Sequence, residues 1–184
     1  LGDLPRRFRT SLASFPSSAS YLVPDPQRVA FWRDMLDALG KGPKIGVSWR
    51  GGTESTRRVI RSMKVEDLAP LAGTVQAHWI SLQYGKVDAD LEAAEAAGLH
   101  LTHWAEAIKD LDEFAALIAA LDRVVTVCNT TVHYAGALGK PVWVMSPKYP
   151  EWRYGWSNQR LPWYPSSLIY RQEVDGEWEP LLER

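Results

Sequence analysis

The chain holds a single cysteine, Cys128, so it cannot form an internal disulfide, and a reducing compartment, the cytoplasm, is the expected location. Long apolar runs are also missing. The longest, Phe114 to Leu121, falls far short of the roughly 20 residues a bilayer span demands, and no membrane span is expected. Positive charge is not in excess either: 21 Lys and Arg stand against 22 Asp and Glu, net -1. A chain without a basic footprint lacks the counterion-release term that drives binding to nucleic acid. There is no Gly-x-Gly-x-x-Gly run, no Walker-type lysine loop and no nucleophile elbow, which removes most support for dehydrogenase, P-loop kinase and covalent hydrolase chemistry. His100 and His103 stand three apart at a strand-to-loop transition with no Cys or carboxylate in ligand register, so neither a metal nor another cofactor is expected. No charged segment leads into an apolar stretch at the start, and the first residue is Leu1, so the chain reads as a piece of something longer.

What is present is an ordinary globular composition, 46% hydrophobic and 23% charged, enough for one compact core. Residues 1–27, with Arg6, Arg7, Arg9, a Ser-rich stretch and Pro24-Asp25-Pro26, read as a linker or the tail of a missing N-terminal domain. Residues 28–172 read as the folded domain and 173–184 as a C-terminal tail. Val29, Trp32, Leu36 and Leu39 mark one face of a helix that stops at Gly40. Short apolar strands are expected at Lys44 to Trp49, His78 to Leu82, Leu99 to Thr102, Val124 to Val127 and Pro141 to Met145, the last of them. Helices are expected between them, near Leu68 to Ala72, at 88–97, from Asp110 or Asp112 to Leu121, and from Asn129 or Thr130 to Gly139. This alternation predicts an α/β class: a Rossmann-like parallel sheet with helices on both faces, binding ligands beyond the carboxyl ends of its strands.

Three of those strand ends run into polar or glycine-containing loops: Arg50 to Thr53, Gln83 to Gly85, and Asn129 to His133. Gly51 and Gly52 let backbone amides approach a ligand, Arg50, Arg57, Arg58 and Arg61 bring positive charge, and Thr53 a hydroxyl, which suits phosphate oxygens. The plainer alternative is a glycine turn with solvated arginines. The helix start at Asn129, Thr130 and Thr131 favours an anion, and His133 in its first turn can reach the same anion. Asn129 as a simple cap and His133 as a packing residue is the competing account. Cys128 reads as a buried, inert thiol. The charge at Asp88 to Glu95 reads as a solvated helix face. Nine Trp residues are present, several after position 142, and Trp152-Arg153, Trp156 and Pro162-Trp163-Tyr164-Pro165 form a stacking or docking surface.

From Tyr21 to Gln172 the chain also resembles a known family. The matching stretches are Tyr21-Leu22-Val23-Pro24-Asp25, Ile45-Gly46-Val47-Ser48-Trp49-Arg50-Gly51-Gly52, Arg61-Ser62, Ser81-Leu82-Gln83-Tyr84-Gly85 and Asp110-Leu111-Asp112-Glu113. They continue with Leu121-Asp122, Val132-His133, Ala135-Gly136-Ala137-Leu138-Gly139-Lys140-Pro141-Val142-Trp143, Trp152-Arg153 and Pro162-Trp163-Tyr164-Pro165. These are similar to bacterial glycosyltransferases attached to tetratricopeptide repeats, relatives of the ADP-heptose:lipopolysaccharide heptosyltransferases of glycosyltransferase family 9, with a two-domain GT-B fold. The resemblance implies the C-terminal half of such a fold and a metal-independent glycosyltransferase that is inactive without its N-terminal domain. A nucleotide-diphosphate sugar would be the donor, and the acceptor a protein, lipid or glycan. Arg50, Gly51, Gly52, Thr53, Arg61, Asn129, Thr130 and Thr131 would hold the donor phosphates. Gln83, Tyr84, Asp110, Trp152 and Arg153 would line the nucleotide or sugar pocket, with His133 catalytic. Where the family pattern has Asp, this chain has Asn129, which cannot carry charge. That departure keeps open a non-catalytic nucleotide-sugar-binding module, and a sugar-nucleotide epimerase of the same architecture is a further alternative.

Overall fold

The structure, a computed structural model, describes residues 4–15 and 18–182. Of the terminal segments expected from the sequence, residues 1–3, 16–17 and 183–184 lie outside the described residues. A short helix α1 (Leu4–Phe8) precedes α2 (Pro26–Asp37). The start of α2 is set locally: Pro26 at its first turn has the right φ and no amide to satisfy, and Asp25 caps the Gln27 N–H. There follow β1 (Lys44–Ser48), α3 (Ala69–Thr74), β2 (His78–Ser81), α4 (Asp88–Ala96) and β3 (Leu101–Thr102). Then come α5 (Ala105–Lys109), α6 (Leu111–Ala120), β4 (Arg123–Val127), α7 (Thr130–Ala137), β5 (Val142–Ser146), β6 (Ser167–Arg171) and α8 (Glu179–Leu182).

All five strand pairings among the described residues are parallel, and the order is β3-β2-β1-β4-β5-β6. The fold is therefore Rossmann-like, as expected. β6 corrects one expectation, because the sheet does not end at β5. Ser167–Arg171 carries mixed burial and follows a loop rich in Pro and Trp, so its local pattern is weak; it becomes a strand by pairing with β5 from Val142 to Ser146.

Along β4, Val124 faces one apolar layer and Val125 and Val127 the other, as strand alternation requires. The first layer joins α2, α5, α6 and α7 through Trp32, Leu36, Ala107, Phe114, Leu117 and Val132. The second packs Trp49, Met63, Val65, Leu68, Ala94 and Trp178 over the opposite face. Gly46 in β1 has no space for a side chain: a Cβ there would lie 2.5 Å from Leu82 and 2.6 Å from Leu121. Its absence lets those two leucines close over the strand.

Sequence order in the sheet reverses between β1 and β4. In such sheets that reversal opens a crevice beyond the carboxyl ends of the two strands, since the connections leave in opposite directions. The loops at 50–53 and 128–131 meet there.

Candidate functional site

The crevice is lined by backbone that two buried amides hold in place. Gln83, 1% exposed, accepts hydrogen bonds through Oε1 from Ser48 Oγ (3.1 Å), Trp49 N (3.1 Å) and Arg50 N (2.8 Å). It thereby fixes how the chain leaves β1. Asn129, 4% exposed, performs the same task from β4. Its Oδ1 accepts from Thr131 N (3.0 Å), capping α7, and from Thr126 Oγ1 (3.1 Å). Its Nδ2 donates to Ser48 Oγ (2.8 Å) and to Arg50 O (3.0 Å). A neutral amide fits here because it must donate on one side and accept on the other.

Arg61 is a third strut. It is 8% exposed, donates to the Cys128 and Thr56 carbonyls, and pairs with Glu151 at 2.8 Å. Gly51 sits so close to the end of β4 that a Cβ would lie 2.7 Å from Cys128 O. Gly52 has φ +76°, in the left-handed region that suits glycine, and turns the chain back toward Thr56. Thr53 then bonds within its own turn, to Ser55 Oγ and Thr56 Oγ1. Cys128 is fully buried, and burial pushes its thiol up to about 12, so it is inert as a nucleophile.

Arg50, Gly52, Arg58, Gln83, Tyr84, Gly85 and Lys86 surround a cleft of about 280 Å³ on this rim. Arg50 is half committed, paired with Asp90 at 2.9 Å and donating to Lys86 O at 2.7 Å. Asp90 also accepts from Trp49 Nε1 at 3.2 Å, which corrects the reading of the Asp88–Glu95 charges as a purely solvated face. Arg58 and Lys86 are different: their side chains have no partner among the described residues. Lys86 went unnoticed in the sequence because a lone lysine after Tyr-Gly carries no pattern. A hollow of about 570 Å³ elsewhere, lined by Glu66, Asp67, Trp178 and Glu179, contains none of the residues expected to form the site.

His133, in the first turn of α7, places Nδ1 3.1 Å from the Tyr164 hydroxyl. Burial lowers its pKa, and the Arg153 and Arg61 cations act in the same direction, so the ring is neutral at pH 7. The loop after β5 carries exposed Tyr149, Trp152 and Trp156 and is tied to the β1 loop by Arg57 Nη1 donating to Tyr149 O at 3.1 Å. Asp110 caps α6 through the Asp112 and Glu113 amides, and among the described residues no side-chain hydrogen bond or ion pair joins it to the loops at the crevice. Beside it Glu113 pairs with Arg28 at 2.6 Å and accepts from Trp32 Nε1 at 2.7 Å. His100 turns to Glu95 and His103 to Ser81, and no three His, Cys, Asp or Glu side chains converge among the described residues.

Comparison with proteins of known structure places this architecture. The chain superposes on a glycosyl transferase family 9 protein from Veillonella parvula with a TM-score of 0.59 at 14% identity, covering 85% of this chain and 44% of that one. It superposes on the ADP-heptose lps heptosyltransferase II of E. coli with a TM-score of 0.57 at 16% identity, covering 85% and 47%. The fold is glycosyltransferase-like. In sequence the chain is 33% identical over 187 residues to Protein FlbA of Caulobacter vibrioides, covering all of this chain and 31% of that protein. It thus spans about a third of that relative and under half of each structural neighbour. No protein-family model matches it. No helix among the described residues is long and apolar enough to cross a membrane.

Proposed function

We propose that this chain is the donor-binding domain of a metal-independent glycosyltransferase of the tetratricopeptide-associated, heptosyltransferase-like kind, and that it holds the diphosphate of a nucleotide sugar over the β1–β4 crevice. The observation that carries this reading is the cleft between the loops after β1 and β2, on the rim beside the β1–β4 reversal, where Arg58 and Lys86 have no side-chain partner among the described residues and stand beside Arg50. Fixed cations and backbone amides stabilise charge developing on a leaving diphosphate, which is the main demand of glycosyl transfer from such donors. In this arrangement Asn129, Gln83 and Arg61 shape the site and Arg50, Arg58 and Lys86 contact the phosphates. The acceptor, and any base that activates it, would be held by the remainder of a longer protein.

The test is calorimetric titration of the chain with UDP, GDP, ADP and CMP and their common sugar conjugates. Saturable binding of one nucleotide, weakened about tenfold by pairing Arg58→Ala with Lys86→Ala, is the expected result. Binding that ignores both substitutions would sink this placement of the phosphates. A second reading, a nucleotide-sugar-binding module without transfer, is favoured by Asn129, whose neutral amide is consumed by four internal hydrogen bonds. Sugar transfer by the full-length protein with a defined donor would rule that reading out.

A further inference from the structure

His133 and Tyr164 meet because Gly136 has no side chain. His133 and Gly136 are three residues apart on α7 and share a face of it. A Cβ on Gly136 would lie 2.2 Å from Tyr164 Cγ, so only glycine allows the phenol ring this close to the helix. Tyr164 is 7% exposed, and its backbone is pinned by Tyr164 N donating to Leu161 O at 3.0 Å and Ser167 Oγ donating to Tyr164 O at 2.7 Å. The same phenol oxygen lies 3.2 Å from the Tyr21 hydroxyl, and the two rings stack with centroids 6.2 Å apart. Tyr21 in turn is fastened to the end of α7, its N–H donating to Ala137 O at 2.9 Å.

The direction of these hydrogen bonds follows from the groups. A phenol is a good donor and a weak acceptor, because its oxygen lone pair is delocalised into the ring, whereas a bare imidazole nitrogen is a strong acceptor. Donation therefore runs from Tyr21 to Tyr164 and from Tyr164 to His133 Nδ1. A neutral imidazole carries one proton, and with Nδ1 accepting, that proton is on Nε2. Nε2 has no partner among the described residues and is not among the buried unpaired atoms, so it is open to a ligand.

We propose that Tyr164, backed by Tyr21, is the positioning residue that holds His133 as its Nε2–H tautomer, making His133 a neutral hydrogen-bond donor to an oxygen of the departing diphosphate. A ring in this state has no free nitrogen with which to deprotonate an acceptor. No proton transfer is invoked, since the diphosphate leaves as an anion stabilised by the bond it accepts. The assignment of the ligand rests on the donor-site reading above; the assignment of the tautomer does not.

Nitrogen-15 NMR of histidine-labelled chain at neutral pH tests the tautomer without any ligand, with the His133 signals identified by their loss in His133→Gln. The expected spectrum has a protonated Nε2 and a bare Nδ1, and Tyr164→Phe is expected to convert it to a mixture of tautomers. Tyr21→Phe should cause a smaller change in the same direction. A protonated Nδ1 in the unsubstituted chain, or an unchanged His133 signal in a folded Tyr164→Phe chain, would overturn the proposal.

The ligand is tested separately with UDP, GDP and ADP. A glutamine amide nitrogen falls near the position of Nε2 and an asparagine amide nitrogen near that of Nδ1. His133→Gln should therefore keep affinity within about threefold, while His133→Asn and Tyr164→Phe should each lose about tenfold. Equal affinities for the Gln and Asn chains would overturn the donor role. Failure of all three diphosphates to bind the unsubstituted chain would overturn the diphosphate assignment together with the donor-site reading, and leave the tautomer to be judged by the NMR.

Discussion

At the junction of β1 and β4 the side chains of Asn129, Gln83 and Arg61 are buried and hydrogen-bonded to backbone, whereas the loop after β5, on the same rim, exposes Tyr149, Trp152 and Trp156 by 49%, 55% and 70%. The two regions divide the work. Gln83, Asn129 and Arg61 spend their hydrogen-bonding capacity on shaping backbone, which leaves little of it for a ligand. Groups with capacity to spare lie around them: Arg58, Lys86, His133 Nε2 and the exposed rings. A residue type suited to binding is thus not by itself a binding residue; the difference is whether its donors and acceptors are already used.

This division is open to attack at its strongest point first. Asn129→Ala removes four hydrogen bonds, to Ser48, Arg50, Thr126 and Thr131, from a site 4% exposed, and takes from the Arg50 carbonyl and the Thr131 amide the side-chain partner that each has there. A stability loss of about 3 kcal/mol is expected in urea denaturation, since unmet buried groups cost more than an average bond contributes. A loss below about 0.5 kcal/mol would mean that the amide is not structural.

The contrasting substitutions, Arg58→Ala and Lys86→Ala, should change stability by under about 0.5 kcal/mol while weakening nucleotide binding about tenfold together. Thermal melts and calorimetry on the same preparations separate the two effects. A large drop in melting temperature would move these residues into the structural group.

A third expectation concerns pH. Burial is the leading cause that holds His133 and His103 below their ordinary value of 6.5. Near that pH the unfolded chain takes up protons that the folded chain refuses. The stability that depends on neutral histidines is complete above pH 6.5 and is lost as pH falls from there toward the folded-state values. Denaturation series between pH 7 and 5 should show this decline and should show it flattened in a His103→Gln, His133→Gln chain. An identical decline in both chains would assign it to other groups.

The smallest effect belongs to the aromatic loop. Trp156→Ala, at a ring 70% exposed, should leave the melting temperature nearly unchanged, within the equivalent of about 0.5 kcal/mol. A marked destabilisation would show that this loop, too, is framework.

Much of this architecture was legible beforehand. Apolar runs such as Val124 to Val127 and the helical spacing of Val29, Trp32 and Leu36 encode backbone conformation and burial locally, so five strands and the main helices could be read directly. The cap of α7 was readable to within one residue, as Asn129 or Thr130, and Asn129 fills it, because an amide before Thr-Thr at a strand end can accept from the first free helix amides. Ser167–Arg171 was not readable as a strand, since its pairing runs to β5, from Val142 with Ser167 to Ser146 with Arg171, far outside its own local sequence, and supplies what its own pattern lacks.

The sequence by itself determined the alternation of elements, the caps and turns, and which loops are polar. Those features depend on neighbours within about one turn or one strand. Tertiary structure alone decided that β1 lies beside β4, that the Asn129 amide and the Gln83 Oε1 are saturated, that Asp90 claims Arg50, and that Tyr21 meets Tyr164, 143 residues away in the chain, and through it His133. The physical reason is that backbone preference acts over a few residues, while the choice of partner for a side chain waits on the order in which distant strands assemble.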